Sequence, residues 1–174
     1  EVTWFEQFQV RDGVAIDRVF GSVAFGPFQL EVCTAGRFET RLQIQNFTLA
    51  QLGLLALALR DLKLGRVGVG FGKSRGLGRV TARFQKLTIR YPACQVANGD
   101  LLLAGKRVCG AAELAGADAF PGSDEYGYRS GPRKRAPLPA GLALIENDWL
   151  EPTLEVEAEA QIEDVWRACV PSWR

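Results

Sequence analysis

Gly65-Arg66-Val67-Gly68-Val69-Gly70-Phe71-Gly72-Lys73-Ser74-Arg75-Gly76-Leu77-Gly78-Arg79 sets six glycines and four basic side chains in fifteen positions. Glycine removes the side-chain bulk that keeps a ligand away from the main chain, so successive N–H groups can turn towards an anion. Lysine and arginine add charge, and Arg75 can engage a phosphate through two parallel hydrogen bonds. The chemistry this stretch asks for is phosphate binding. The competing reading is a tight, bulged connection with solvated basic residues; the density of basic residues argues against it. A nucleotide-binding P-loop fails on register, because the glycine required five residues before Gly72-Lys73 is Val67. It also fails on order, since the stretch follows a helix and leads into a strand.

Upstream, Thr48 has the character of a helix N-cap, with Gln51 placed to complete a capping box and Phe47 to staple onto Leu52. The helix is expected to reach about Leu64, with Lys63 in its last turn and Gly65 closing it. Leu52, Leu55, Ala56 and Leu59 form its inner stripe, and further leucines call for burial on more than one side. Before it, Phe38, Thr40, Leu42 and Ile44 alternate with polar residues from Arg37 to Gln45, the clearest strand pattern in the chain. Residues 2–32 read as short strands broken by turns at Asp12-Gly13 and Gly26-Pro27, with Phe28, Leu30 and Val32 alternating against Gln29 and Glu31.

Downstream, a strand is expected from Arg79, with Val80, Ala82 and Phe84 on one face. The apolar phase then moves to Leu87, Ile89 and Tyr91, which implies a bulge near Gln85-Lys86. Leu101 to Leu103 reads as a strand, and residues 117–140 as a loop rich in glycine, proline and charge that carries Arg133-Lys134-Arg135. Leu154, Val156, Ala158 and Ala160 alternate like a strand, while Leu154, Ala158, Ile162, Val165 and Cys169 line one helical face; alanine and glutamate content favours the helix. Glu155, Glu157 and Glu159 read as a solvated face.

The 174 residues, 47% apolar, are enough for a core, and 21 basic against 20 acidic side chains leave a net charge of +1. Any nucleic-acid site must therefore be local. Four cysteines at 33, 94, 109 and 169 stand far apart, with no histidine in the chain, so no metal or other cofactor is expected, and reduced core cysteines are. No stretch is long enough to span a membrane, and no secretory leader opens the chain, which points to a cytoplasmic protein. The absence of methionine, even at position 1, is read as the mark of a processed or internal segment.

The run from Gly70 to Val80 resembles the glycine-rich loop of the RAMP superfamily, in particular the backbone subunits of type III CRISPR effector complexes. Ala15-Ile16-Asp17-Arg18 is similar to the Ile-Asp-Arg signature that opens a projecting hairpin, the thumb, in those subunits. The resemblance covers residues 14–91, the C-terminal half of such a subunit. It implies an α+β, ferredoxin-like (RNA-recognition-motif-like) fold lacking its N-terminal half. Residues 1–91 would form this part, with a thumb over 13–30 and the glycine-rich loop over 65–79. Residues 92–174 would be an extension, insertion or linker.

The same resemblance implies an RNA site at Gly70, Gly72, Lys73, Ser74, Arg75, Gly76, Gly78, Arg79 and Arg18. Asp17, Phe20 and Phe25 would lie in the thumb, with Phe20 and Phe25 as candidates for its tip or as ordinary packing residues. Asp17 could instead pair with Arg18 and shape the hairpin, which is the favoured role for Asp17. The partners implied are guide RNA, complementary target RNA, and neighbouring subunits or a preceding segment that would cover an exposed apolar side of the helix. The function implied is guide-RNA gripping in antiviral defence. The alternatives are a scaffold without RNA contact, or part of a metal-dependent target-RNA nuclease whose catalytic aspartate lies in the part of the fold with no counterpart here. Without histidine, Ser-His-Asp or Cys-His catalysis is impossible, and no catalytic residue is assigned within the chain.

Overall fold

The structure, a computed structural model, describes residues 2–128, 132–146, 149 and 151–173, and comprises two units, Glu1–Ile44 and Gln45–Arg174. The first is a long antiparallel hairpin of β1 (Val2–Ile16) and β2 (Val23–Phe38), paired Gln9↔Val32, Arg11↔Leu30 and Gly13↔Phe28. Phe28, Leu30 and Val32 are half-buried while Gln29 and Glu31 are exposed, which is the alternation the sequence carries. The turns expected at Asp12-Gly13 and Gly26-Pro27 are corrected, since both strands run through them. A Cβ on Gly13 would lie 2.6 Å from the Phe28 ring. The glycine thus admits a cross-strand aromatic, and the register shifts beside it, between Gly13 and Ala15. The chain reverses at residues 17–22, where the Asp17 amide donates to the Ser22 carbonyl (2.8 Å) and Gly21 takes a left-handed φ of +67°.

The strand expected over residues 37–45 is also corrected. β2 ends at Phe38, and residues 39–45 belong to no ladder among the described residues. Alternation supplies two faces, but a strand also needs a neighbour for its N–H and C=O groups.

In the second unit α1 (Leu49–Lys63) starts as the sequence predicts. The Gln51 amide donates to the Thr48 hydroxyl (3.3 Å), and the Thr48 amide donates to the Gln51 side-chain oxygen (2.9 Å). Leu64 caps it, and Gly65 follows at φ +66°. Leu49, Leu52, Gly53 and Ala56 are buried, Leu55 and Leu59 half-buried, and Leu54 is 45% exposed. The buried stripe packs on α2 (Glu159–Cys169) and the 3-10 turn Val170–Ser172. Gly53 sets the closeness of that approach, since a Cβ there would lie 2.6 Å from the Cys169 carbonyl oxygen.

Small antiparallel sheets complete the unit: β3 (Leu87–Arg90) pairs with β9 (Thr153–Val156); β4 (Cys94–Ala97), β5 (Asp100–Leu103) and β6 (Lys106–Gly110) form a meander; and β7 (Glu113–Ala115) pairs with β8 (Arg135–Pro137). Leu101 to Leu103 is therefore a strand as read. The expected strand from Arg79 shortens to Leu87–Arg90, because residues 79–86 have no ladder partner among the described residues. Part of the expected 117–140 loop is structured: β8 and the 3-10 turns Ala117–Ala119 and Ser123–Tyr126 lie in it, while 129–131 fall outside the described residues. The C-terminal ambiguity resolves into both readings in series, β9 and then α2.

One core gathers Leu49, Leu52, Ile89 and Tyr91 with Leu101, Leu114, Leu154, Ile162 and Val165, residues from both sides of the exposed Pro92. Tyr91 clasps β7 from inside, its hydroxyl donating to the Ala115 carbonyl and accepting from the Ala115 amide, both at 3.0 Å. The four cysteines are free. Cys94, Cys109 and Cys169 are buried in this core, and burial pushes the Cys109 thiol up to about 11 and Cys169 to about 12, which suits packing rather than reactivity.

Candidate functional site

α1 ends in an electrostatic clamp. The Asp61 carboxylate takes hydrogen bonds from Arg60 (2.7 Å) and Arg66 (3.2 Å), with Arg60 the main cause of its lowered pKa. Arg66, one of the four basic residues of the 65–79 stretch, is thereby occupied with the helix end, a role its spacing of five residues from Asp61 allows. Beyond it the chain narrows to a neck, where the Val69 amide donates to the Gly78 carbonyl (2.8 Å). A Cβ on Gly78 would lie 2.2 Å from the Val69 carbonyl oxygen, and φ there is +81°, so only glycine closes this neck.

Inside the loop Lys73–Arg75 form a single 3-10 turn flanked by Gly72 and Gly76, both left-handed. The amides of Arg75 and Leu77 donate to the Gly72 carbonyl (2.8 and 3.3 Å) and that of Gly76 to Lys73 (3.1 Å). Leu77 folds over Gly72, where a Cβ would meet its side chain at 2.8 Å. The five successive amides of Gly70, Phe71, Gly72, Lys73 and Ser74 donate to no described group. Positive φ at Gly70 and Gly72 stands on either side of Phe71, an alternation of the kind from which N–H nests are built. Lys73, Ser74, Arg75 and Arg79 are exposed in the same stretch, and neither Lys73 nor Arg79 forms an ion pair with a described residue. Phe71, which the sequence reading left out of the site, is 79% exposed. A phenylalanine between two glycines in a basic loop was the available signal.

Of the glutamates read as a solvated face, Glu155 and Glu157 are exposed and Glu159 is half-buried, and all three pair with lysines. Lys86 meets Glu155 (3.0 Å) and Glu157 (3.5 Å), and Lys63 joins Glu159 (2.8 Å) and Glu163 across α1 and α2. The Phe84 amide donates to Glu159 as well (3.3 Å). Carboxylates thus pair with Arg60, Lys63 and Lys86 on either side of the loop, while Lys73 and Arg79 have no counter-ion among the described groups.

The remaining predicted residues lie in the first unit. Ile16 ends β1, and Asp17 and Arg18 open the turn. The expected Asp17–Arg18 ion pair is corrected, for the Asp17 carboxylate accepts from the Val19 and Phe20 amides (2.7 and 3.0 Å), and the Phe20 and Val19 bonds hold its pKa below the ordinary value. Asp17 does shape the hairpin, through backbone hydrogen bonds rather than charge pairing. Phe20 stands in the turn at 83% exposure, whereas Phe25 sits on β2 opposite Ala15, stacked on Phe28 with centroids 6.2 Å apart.

Among the described residues no cluster of histidine, cysteine and carboxylate side chains could hold a metal, and no helix is long and apolar enough to cross a membrane. Neither curated proteins nor solved structures yield a match to the chain. The family model of the RAMP superfamily does match it, over residues 2–81, a span that takes in the hairpin, α1 and the whole glycine-rich loop. Residues 2–81 of this chain belong to the RAMP superfamily.

Proposed function

We propose that the chain is an RNA-binding backbone component of a CRISPR ribonucleoprotein effector complex, of the type III kind, acting in antiviral defence in the cytoplasm. The superfamily is associated with CRISPR complexes and RNA binding. The observation that carries the finer reading is the loop itself, with five adjacent amides that donate to no described group, positive φ at Gly70 and Gly72, and exposed Lys73, Ser74, Arg75 and Arg79 in the same stretch. Such a run of amides and cations suits a phosphate, and a nucleic-acid backbone presents phosphates in series. Gly70, Gly72, Gly76 and Gly78 give the loop its shape, and Lys73, Arg75 and Arg79 supply its charge. Recognition of this kind reads the guide's backbone and not its sequence.

In this reading residues 1–91 are the C-terminal half of a ferredoxin-like domain. Residues 92–174 are an extension that shares its core, and a preceding segment or neighbouring subunit supplies the rest of the fold. Residues 13–30 of the β1–β2 hairpin are the thumb, with Arg18 as an RNA contact and Phe20 and Phe25 as candidates for its tip. The unladdered, alternating residues 39–45 and 79–86 and the exposed Leu54 of α1 support an incomplete sheet.

The test is binding of a labelled single-stranded RNA across a salt series by the chain and by a Lys73→Ala/Arg75→Ala/Arg79→Ala variant. The variant is expected to bind more weakly, with a slope of log affinity against log salt shallower by about 0.7 for each phosphate it no longer engages. Equal affinity and equal slope in the two proteins would leave a scaffold without RNA contact.

A further inference from the structure

Two large apolar side chains sit in the tip of the loop, and the fold treats them oppositely. Leu77 turns inward and covers Gly72, completing the packing of the 3-10 turn. Phe71 stays 79% exposed, and on Gly70 beside it an added Cβ would meet no described atom within 4 Å. Its backbone is held by positive-φ glycines on both sides, its amide is one of the five that donate to no described group, and Lys73 and Arg79 stand nearby in sequence without a counter-ion among the described residues. An exposed phenylalanine ring in a basic loop offers a flat apolar face on which a base can stack. A nucleotide fits an exposed aromatic ring beside a run of backbone amides and basic side chains, because it carries its phosphate and its flat base on one sugar.

We infer that the loop takes an unpaired nucleotide, with the phosphate on the amides of Gly70 to Ser74 and the base stacked on the Phe71 ring. This rests on the RNA-binding reading above and narrows it. A base inside a duplex has both faces occupied by its neighbours, so the ring selects single-stranded RNA or a nucleotide splayed out of the stack. Phe71 is a binding residue that adds affinity without adding charge.

The experiment compares the full chain with its Phe71→Ala, Phe71→Trp and Lys73→Ala/Arg75→Ala/Arg79→Ala forms. The probes are a single-stranded RNA carrying 2-aminopurine, the same strand with abasic sites, and a blunt RNA duplex. Phe71→Ala is expected to weaken binding of the base-bearing strand by about ten-fold, within the range for one aromatic stack, and to leave the salt slope unchanged. It should also abolish the change in 2-aminopurine fluorescence on binding, while Phe71→Trp preserves both. Phe71→Ala and the wild type should bind the abasic strand equally, and the duplex should bind wild type more weakly than the single strand. If Phe71→Ala binds the base-bearing strand as wild type does while the triple variant loses it, the stacking is overturned and the exposed ring belongs to a protein contact. If the triple variant also binds as wild type does, the RNA-binding reading itself falls.

Discussion

The hairpin exposes Val10, Val14, Ile16, Val19, Phe20, Val23 and Phe25, whereas the unit Gln45–Arg174 buries Leu49, Leu101, Leu114, Leu154 and Ile162 completely. Among residues 7–44 no side chain is buried; the hairpin is held by its backbone ladder, by half-buried Phe28, Leu30 and Val32, and by the Asp17 turn. A two-stranded ribbon has one neighbour per strand and cannot enclose an apolar face, whereas two helices and several short sheets can close around one. Hydrophobic content is similar in kind in the two units, and its consequences differ. In one unit it supplies stability, and in the other it is surface available for contact.

Substitution tests that contrast directly. Leu114→Ala, in the centre of the core, is expected to destabilise the second unit by about 2–5 kcal/mol in chemical denaturation, because the removed side chain leaves a cavity; a loss below about 1 kcal/mol would mean that the core tolerates collapse there. Tyr91→Phe keeps the ring but strands the Ala115 amide and carbonyl that the hydroxyl serves, for an expected loss of about 1–3 kcal/mol. Unchanged stability would indicate that water replaces the hydroxyl.

On the hairpin the expected effects are smaller. Phe20→Ala should change the denaturation midpoint by no more than about 0.5 kcal/mol equivalent, as for an exposed surface site; a loss comparable with that of Leu114→Ala would erase the distinction between the two units. The finest probe is pH. The folded Asp17 carboxyl titrates below its unfolded value, so its contribution to the turn is fully present above the unfolded pKa and is lost as pH falls through the folded one. Protection of the Val19 and Phe20 amides, measured as exchange relative to the intrinsic rate at each pH, should fall across that acid window in the wild type. Asp17→Ala should be unprotected at every pH, and Asp17→Asn, which keeps an acceptor oxygen, should stay protected throughout. A carboxyl titrating at its ordinary value would detach Asp17 from the turn.

Much of the site was legible because its signals are local. The Thr48–Gln51 box, the Gly65 stop and the glycines of the 65–79 loop are decided by φ preference and by hydrogen bonds reaching a few residues along the chain. Phe71 was visible as a residue, but its exposure depended on which of two apolar side chains the loop used for its own packing, and Leu77 took that place. The division of residues 153–169 into a strand and a helix was equally hidden, since both periodicities are present and the pairing of Leu154 with Ile89 chose between them.

The amino-acid sequence by itself determined the capped helix, the left-handed glycine positions and the concentration of basic residues in one loop, because each depends on a residue's own sterics, charge and nearest neighbours. Only the tertiary structure decided which alternating stretches became strands, which lysines met glutamates, and which apolar side chains were covered. Those outcomes depend on partners far apart in the chain, and for residues 39–45 and 79–86 the alternation is present while the partner strand is not among the described residues.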